Sequence, residues 1–374
     1  MILSMSATTL HRFFTISFIA FTLVFTPFVS KAEEASRYTS AREAFIMDFE
    51  TGMVLLKKNA DTQMPTSSMS KVMTMYMVFE AIEDGRVSLT DTFQVSEKAW
   101  RKGGSKMFVE VGDNVKIEDL IRGVIIQSGN DASIVLAEGL AANEAQFAEI
   151  MTKKAHELGA TDSNFMNASG WPQEGHYSTA RDLATIANSI IEDFPDHYHY
   201  YNEKEFTYND ITQRNRNPLI YQNIGADGLK TGHTEAAGYG LIGTGTRDGR
   251  RVIMVINGLE SSSARAKEGR RLLGWALRSF ENRTVFKAGD VIRDIPVIMG
   301  DQRSVDSVVP EDIRVTVPKG KQDEIKTSVE FKTPLKAPVL KGDVVGQITI
   351  EIPETGVVKS PLMAGQGSEE LGFV

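Results

Sequence analysis

The chain has 374 residues, 41% of them hydrophobic, which suggests roughly two domains of ~150 residues with material for a core in each. A formal net charge of -8 gives no support to nucleic acid or an anionic membrane surface as the main partner. There is no cysteine, so disulfides, thiolate metal sites and a thiol nucleophile are excluded, and any nucleophile is an oxygen or an amine.

The first element is a signal peptide, 1–32. His11 and Arg12 form a weakly basic start, and Phe13 to Val29 is apolar and uncharged. Ser30-Lys31-Ala32 places small residues where a signal peptidase reads, which predicts cleavage after Ala32 and an exported protein. The alternative is an uncleaved anchor, but the apolar stretch barely reaches the ~17 residues that span a bilayer. Two strand-like runs around Phe49-Glu50-Thr51-Gly52 predict a hairpin over 44–57. From Ser68 to Ile82 the sequence is apolar almost all round, as in a buried central helix, with Gly85 at its C-terminal end. Further helices are predicted at 117–126, 131–141, 145–158 and 180–192. Gly225 to Leu259 reads as strands with a turn at Arg247-Asp248-Gly249-Arg250, and Ser262 to Asn282 reads as a helix. The first and last strands of this unit, 33–283, are expected to share one antiparallel sheet with helices on its faces. From 284 to 362 short alternating runs predict a small all-β sandwich, followed by a Gly-rich tail, 363–374.

Chemistry begins at Lys71, the one charge in its helix before Glu80. Among methionine and valine its amine is desolvated, which favours the neutral, basic form. Ser68 lies three residues earlier on the same helix face. Because Ser68 opens the helix, its backbone N–H is one of the unpaired donors of the first turn and is free to bind an oxyanion. Ser128-Gly129-Asn130 sits in a tight turn between two buried helices and can aim a hydroxyl and an amide into a cleft. Lys230-Thr231-Gly232 places a cation and a hydroxyl side by side on an edge strand, a fit for a carboxylate. Gly232 is expected to leave room for a substrate against the backbone, and the His233 N–H is a candidate second oxyanion donor. Each element has an ordinary structural reading: a helix cap with a snorkelling lysine, a capped helix–helix turn, a surface lysine on a strand. The three together, in this order, weigh towards catalysis.

Ser-x-x-Lys, Ser-x-Asn and Lys-Thr-Gly form the triplet of penicillin-binding proteins and class A β-lactamases. From about 40 to 372 the chain resembles the low-molecular-mass penicillin-binding proteins of the serine D-alanyl-D-alanine carboxypeptidase family. The matching stretches include Ser67-Ser68-Met69-Ser70-Lys71, Gly123 to Ala132, Tyr177 to Asp182 and Asp227 to Thr234, with Asn215-Arg216-Asn217 and Arg265 with Glu268. The resemblance implies an α/β (α+β) penicillin-binding/β-lactamase-like transpeptidase domain with an antiparallel sheet and helices, followed by the β-sandwich. It implies that Ser68 is acylated, Lys71 takes its proton and Ser128 relays a proton to the leaving D-alanine. Asn130 would hold the peptide amide, and Lys230 and Thr231, with Arg265 and Arg216, would face the terminal carboxylate. An Arg-x-x-Glu pair on a helix is also a plain salt bridge, so Arg265 has that second reading. The implied substrates are peptidoglycan stem peptides ending in D-Ala-D-Ala, with β-lactam antibiotics as covalent inhibitors. Wall remodelling and maintenance of cell shape would follow, in the periplasm or at the outer face of a bacterium's cytoplasmic membrane. No metal or cofactor is implied. Relatives usually end in an amphipathic helix lying on that membrane. Here Glu370 to Val374 stands where it would begin and has no apolar face, so the sequence leaves membrane association open.

Gly238 to Gly243 fits GxGxxG, with Glu260 about 20 residues on. It is rejected as a dinucleotide site because a strand, not a helix, continues from it; the glycines are expected to pack that strand closely beside the Lys230 strand. The six histidines do not cluster with acids at metal spacing, and His197 and His199 are expected on a solvated loop. A β-lactamase needs a deacylating carboxylate, for which Glu174 is the nearby candidate, in surroundings unlike such a loop. An endopeptidase acting on cross-linked peptides and a non-catalytic receptor for wall peptides would use the same pocket. An intact Ser68 and Lys71 argue against the receptor.

Overall fold

The computed structural model describes residues 39–372; the predicted signal peptide lies outside them. The expected hairpin is present as β1 (Glu43–Asp48) and β2 (Val54–Lys58). Asp48 shapes its turn by accepting the N–H groups of Glu50 and Thr51. A 3-10 turn over Ser67–Ser70 leads into α1 (Lys71–Glu83), whose residues from Lys71 to Phe79 are all buried. The hairpin of β3 (Thr92–Gln94) and β4 (Asn114–Lys116) brackets the short α2 (Glu97–Arg101). Four helices follow: α3 (Ile117–Ile125), α4 (Asn130–Leu140), α5 (Glu144–Glu157) and α6 (Ala180–Asp193). Side-chain caps fix two of their starts, Asn143 accepting from Gln146 N–H and Thr179 from Asp182 N–H.

A small hairpin, β5 (Glu205–Tyr208) and β6 (Ile211–Arg214), precedes the three long strands β7 (Ala226–Thr234), β8 (Gly238–Arg247) and β9 (Arg250–Leu259). The chain then enters α7 (Ser262–Ser279), capped by Ser261. The main sheet is antiparallel in the order β2-β1-β9-β8-β7, so the first and last strands do share it and β7 is an edge. Both faces are covered, which is why β9 reads as an unbroken apolar run. Its Ile253 and Val255 face the core of α1, α4 and α6, while Val252, Met254 and Ile256 face Leu272, Leu273 and Ala276 of α7.

The helix expected to run to Asn282 stops at Ser279. Phe280 keeps its apolar partner, an edge-on contact with Trp275 at 5.2 Å, but it does so from a strand. That strand, β10 (Phe280–Phe286), pairs with β13 (Ile313–Pro318), so the β-rich part begins a few residues before the expected 284. Its other strands are β11 (Val291–Ile298), β12 (Ser304–Val308), β14 (Lys326–Phe331), β15 (Leu335–Lys336), β16 (Val344–Ile352) and β17 (Gly356–Ala364). They form a six-stranded sheet in the order β14-β16-β17-β12-β11-β15. Val315 and Val317 of β13 pack with Ile348, Ile350 and Leu362 of the larger sheet in one core, as a sandwich requires. Met53 of the first hairpin joins that core. The expected tail is part of the fold. Met363 and Ala364 belong to β17, Ser368 bridges to Val339 and Glu370 to Gly300.

The two parts are joined by a buried polar knot. Arg250 Nε donates to Asp48 Oδ2 at 2.6 Å, and Asn282 Nδ2 to Asp48 Oδ1 at 3.0 Å. Thr316 Oγ1 in turn donates to Asn282 Oδ1 at 2.9 Å.

Candidate active site

Ser68 is presented by the 3-10 turn, which is held from several sides. Ser67 adopts φ +47° and its hydroxyl donates to the Thr66 carbonyl at 2.6 Å. Met69 N–H returns to the same carbonyl at 3.1 Å. Gly170 lies so close that a Cβ there would stand 1.8 Å from the Ser67 carbonyl oxygen. The Ser68 N–H belongs to the first turn, where backbone donors have no intrahelical acceptor.

Lys71 begins α1 and is fully buried. Its Nζ lies 2.9 Å from Ser68 Oγ, 2.7 Å from Asn130 Oδ1 and 2.6 Å from the Ser169 carbonyl. Burial, and after it the charge of Arg216, lowers its pKa to about 7. The three neighbours are not equivalent. A carbonyl oxygen only accepts, and Asn130 is oriented as an acceptor because its Nδ2 donates to the Gly103 carbonyl at 2.9 Å. A neutral amine has two hydrogens and one lone pair. Its hydrogens go to Ser169 and Asn130, and the lone pair is left for the one neighbour with a proton to give, Ser68.

Lys230 is the second buried amine. It is 2% exposed, and its Nζ donates to Ser128 Oγ at 2.8 Å and to the Thr231 carbonyl at 3.0 Å. Burial first, then Lys71, Arg216 and Arg265, hold its pKa well below the ordinary lysine value. Ser128 adopts φ +58° in the turn between α3 and α4. Asp131 anchors that turn by accepting the N–H groups of Met107 at 2.8 Å and Phe108 at 2.9 Å. Asn130 N–H adds a bond to the Ser105 carbonyl. The segment 103–108 is thereby drawn across the site, and Arg216 donates to Ser105 Oγ.

The two arginines expected at a carboxylate are present. Arg265 does not pair with Glu268, which binds Arg271 instead at 2.7 Å. The Arg265 guanidinium lies over the Tyr239 ring at 5.7 Å, and its Nε has no hydrogen-bond partner among the described residues. Tyr239 also stacks on His233, with centroids 3.9 Å apart, across the β7–β8 pair. Burial lowers the pKa of both Arg216 and Arg265, and the charge of Arg216 bears on both lysines and that of Arg265 on Lys230. Thr231 is 5% exposed on the same edge strand.

Other expectations are corrected. A Cβ on Gly232 would meet Ser67 Oγ at 2.1 Å and the Thr66 carbonyl at 3.0 Å. This glycine therefore lets β7 press against the nucleophile's turn rather than making room for substrate. Gly240 does the same for β8, where a Cβ would meet Met69 Cε at 2.5 Å, and the GxGxxG run is indeed strand throughout. Its glycines serve close packing against the 3-10 turn and Asn257, not only against the Lys230 strand. His197 is not solvated; it is buried, stacked on Phe79 at 5.0 Å and bonded to Glu83 at 2.9 Å. His199 is exposed as expected; Glu174 is exposed too. Among the described residues no group of His, Asp and Glu is placed to hold a metal ion, and no helix is long and apolar enough to cross a membrane.

Two contributors carried no sequence signal. Ser169 acts through its backbone carbonyl, which any residue supplies. His176 is 9% exposed, with Nδ1 accepting from Met166 N–H at 3.1 Å and Nε2 2.7 Å from Ser70 Oγ. Its bond steadies the residue between Met69 and Lys71, and burial, with Lys71 behind it, lowers its pKa to about 4.

Comparison with known proteins places this geometry. Residues 29–261 match the model of the D-alanyl-D-alanine carboxypeptidase family, and 280–370 match the penicillin-binding protein 5 C-terminal domain. The chain belongs to the D-alanyl-D-alanine carboxypeptidase family. It is a serine-type carboxypeptidase with a penicillin-binding catalytic domain and a β-rich C-terminal domain. It is 38% identical over 364 residues to the D-alanyl-D-alanine carboxypeptidase DacC of Escherichia coli, covering 95% of this chain and 91% of the relative. The crystal structure of penicillin binding protein 5 from Haemophilus influenzae superimposes with a TM-score of 0.80 at 36% identity, over 88% of this chain and 98% of that one. Penicillin-binding protein D2 from Listeria monocytogenes, solved in an ampicillin-bound form, is similar with a TM-score of 0.59 at 30% identity, over 64% of this chain and 98% of that one.

Proposed function

We propose that this protein removes the terminal D-alanine from peptidoglycan stem peptides ending in D-Ala-D-Ala, outside the cytoplasmic membrane of a bacterium. The observation that carries this is the buried Lys71 amine, held by two pure acceptors with its third direction on the Ser68 hydroxyl.

In this reading Ser68 Oγ attacks the carbonyl of the penultimate D-alanine while its proton passes to Lys71 Nζ. The oxyanion rests on the N–H groups of Ser68 and His233. Ser128, bonded to Lys230, relays a proton to the departing amine, so that D-alanine leaves neutral at nitrogen and Ser68 is left as an ester. Asn130 holds the peptide amide beside Lys71. The terminal carboxylate that distinguishes this substrate meets Lys230, Thr231, Arg216 and Arg265; Gly232 packs behind them. Water then cleaves the ester, its proton taken by the site's base and returned to Ser68. A β-lactam enters as a mimic of the same dipeptide, but its leaving group stays tethered and the ester persists.

Purified protein incubated with a diacyl-D-Ala-D-Ala peptide should release free D-alanine, and a β-lactam should abolish that release. Absence of D-alanine from a correctly folded sample would overturn the assignment.

A further inference from the structure

Outside the catalytic cleft, a basic concavity lies along α7. A groove of about 740 Å³ runs between this helix and the segment Gln222–Ile224. A second hollow of about 280 Å³ continues it toward the β8–β9 turn, and the two share Asn223, Ile224 and Arg278 as walls. Lys267, Arg270 and Arg278 line it at helical spacing with Arg271, and Arg247 closes the far end. Among the described residues no Asp or Glu lines either hollow, in a chain whose net charge is -8. No ion pair holds Lys267, Arg270 or Arg278 among the described residues; Arg271 is engaged by Glu268 and Arg247 by Asp248. Gly274 contributes a notch, since a Cβ there would meet Arg278 Nη1 at 2.8 Å. The guanidinium thus lies back along its own helix, beside the groove.

Both walls lead to the catalytic cleft. Arg265 stands on α7 between the groove residues Ser263 and Ala266. Arg216 precedes the 3-10 turn Pro218–Tyr221 that delivers Gln222.

We propose that this groove binds the carboxylates of a second strand of the wall polymer, tethering the enzyme beside the peptide it cleaves. This rests on the proposed function. Every peptide substrate ends in a carboxylate, and each cleavage leaves another on the shortened peptide, so the polymer is anionic before and after the reaction. Lys267, Arg270 and Arg278, which no ion pair holds among the described residues, recruit such a chain by charge complementarity. The concave shape favours a strand with separate carboxylates over the flat face of an anionic bilayer.

The test compares the parent chain with the triple variant Lys267→Gln/Arg270→Gln/Arg278→Gln. Co-sedimentation with isolated, insoluble peptidoglycan should weaken roughly tenfold in the variant, as expected from three modest charge contacts, and the parent's binding should weaken with added salt. Release of D-alanine from a soluble diacyl-D-Ala-D-Ala peptide should be the same in both. That second measurement separates the two ideas: no release from the parent sinks the proposed function, whereas equal sedimentation with normal release sinks the groove. Binding of the parent, but not the variant, to phosphatidylglycerol vesicles, with peptidoglycan binding unchanged, would assign the groove to a membrane and overturn the proposal.

Discussion

Acylation should titrate with Lys71. At its ordinary value of 10.5, a lysine amine is neutral in roughly three of ten thousand molecules at pH 7. Burial, reinforced by Arg216, brings this one to about 7, where about half the molecules hold the free base. The surroundings thus raise the population of competent base on the order of 10³-fold. The sign follows from the chemistry: a protonated amine cannot take the Ser68 proton. The second-order rate of acylation by a fluorescent penicillin, followed by stopped flow, should fall about tenfold per pH unit below about 7 and level off above it. Arg216→Gln removes the second-largest cause of the depression and should move the limb to higher pH, apart from any loss of substrate affinity. A profile flat from about pH 5 to about 9 would refute Lys71 as the base.

Three further outcomes are expected. Gly232→Ala should lower the acylation rate on the order of 10²-fold, because the new methyl displaces the turn that aims Ser68, and should cost about 1–3 kcal/mol of stability; an unchanged rate would show that the turn tolerates the shift. His176 is neutral in the fold down to about pH 4, while its unfolded counterpart takes a proton near 6.5. Stability should be full above about 6.5, decline as the pH falls between these values, and be lower by about 3 kcal/mol once both states are protonated; urea titrations of parent and His176→Gln should show a flatter curve in the variant. Asp48→Ala strips the partner from buried Arg250 and should cost about 3–5 kcal/mol, visible as a lower urea midpoint, with the midpoint unchanged if the knot is only ornamental.

Much of the site is legible because it is local. Ser68 and Lys71 are three residues apart on one helix, and the apolar residues around Lys71 foretell its depressed pKa. What was not legible depends on partners distant in sequence. Gly232 shares a strand face with Lys230, but only the fold brings Ser67 to that face. Arg265 and Arg271 both stand three residues from Glu268, and spacing could not choose between them; the packing gives the glutamate to Arg271 and leaves Arg265 over Tyr239. His197 has acidic neighbours in sequence and an aromatic one, Phe79, in space. The helix ending at Ser279 and the structured tail follow the same rule. Phe280 fits a helical period and a strand equally well, and a Gly-rich end becomes ordered when Ser368 pairs with Val339.

The central claim is that Ser68 forms the acyl-enzyme, with Lys71 as its base. It is tested most directly by treating the purified chain with penicillin and mapping the adduct by peptide mass spectrometry. The account predicts one penicilloyl group per chain, on Ser68, and none in a folded Ser68→Ala variant. An adduct on another residue, or labelling that persists in the variant, would contradict it.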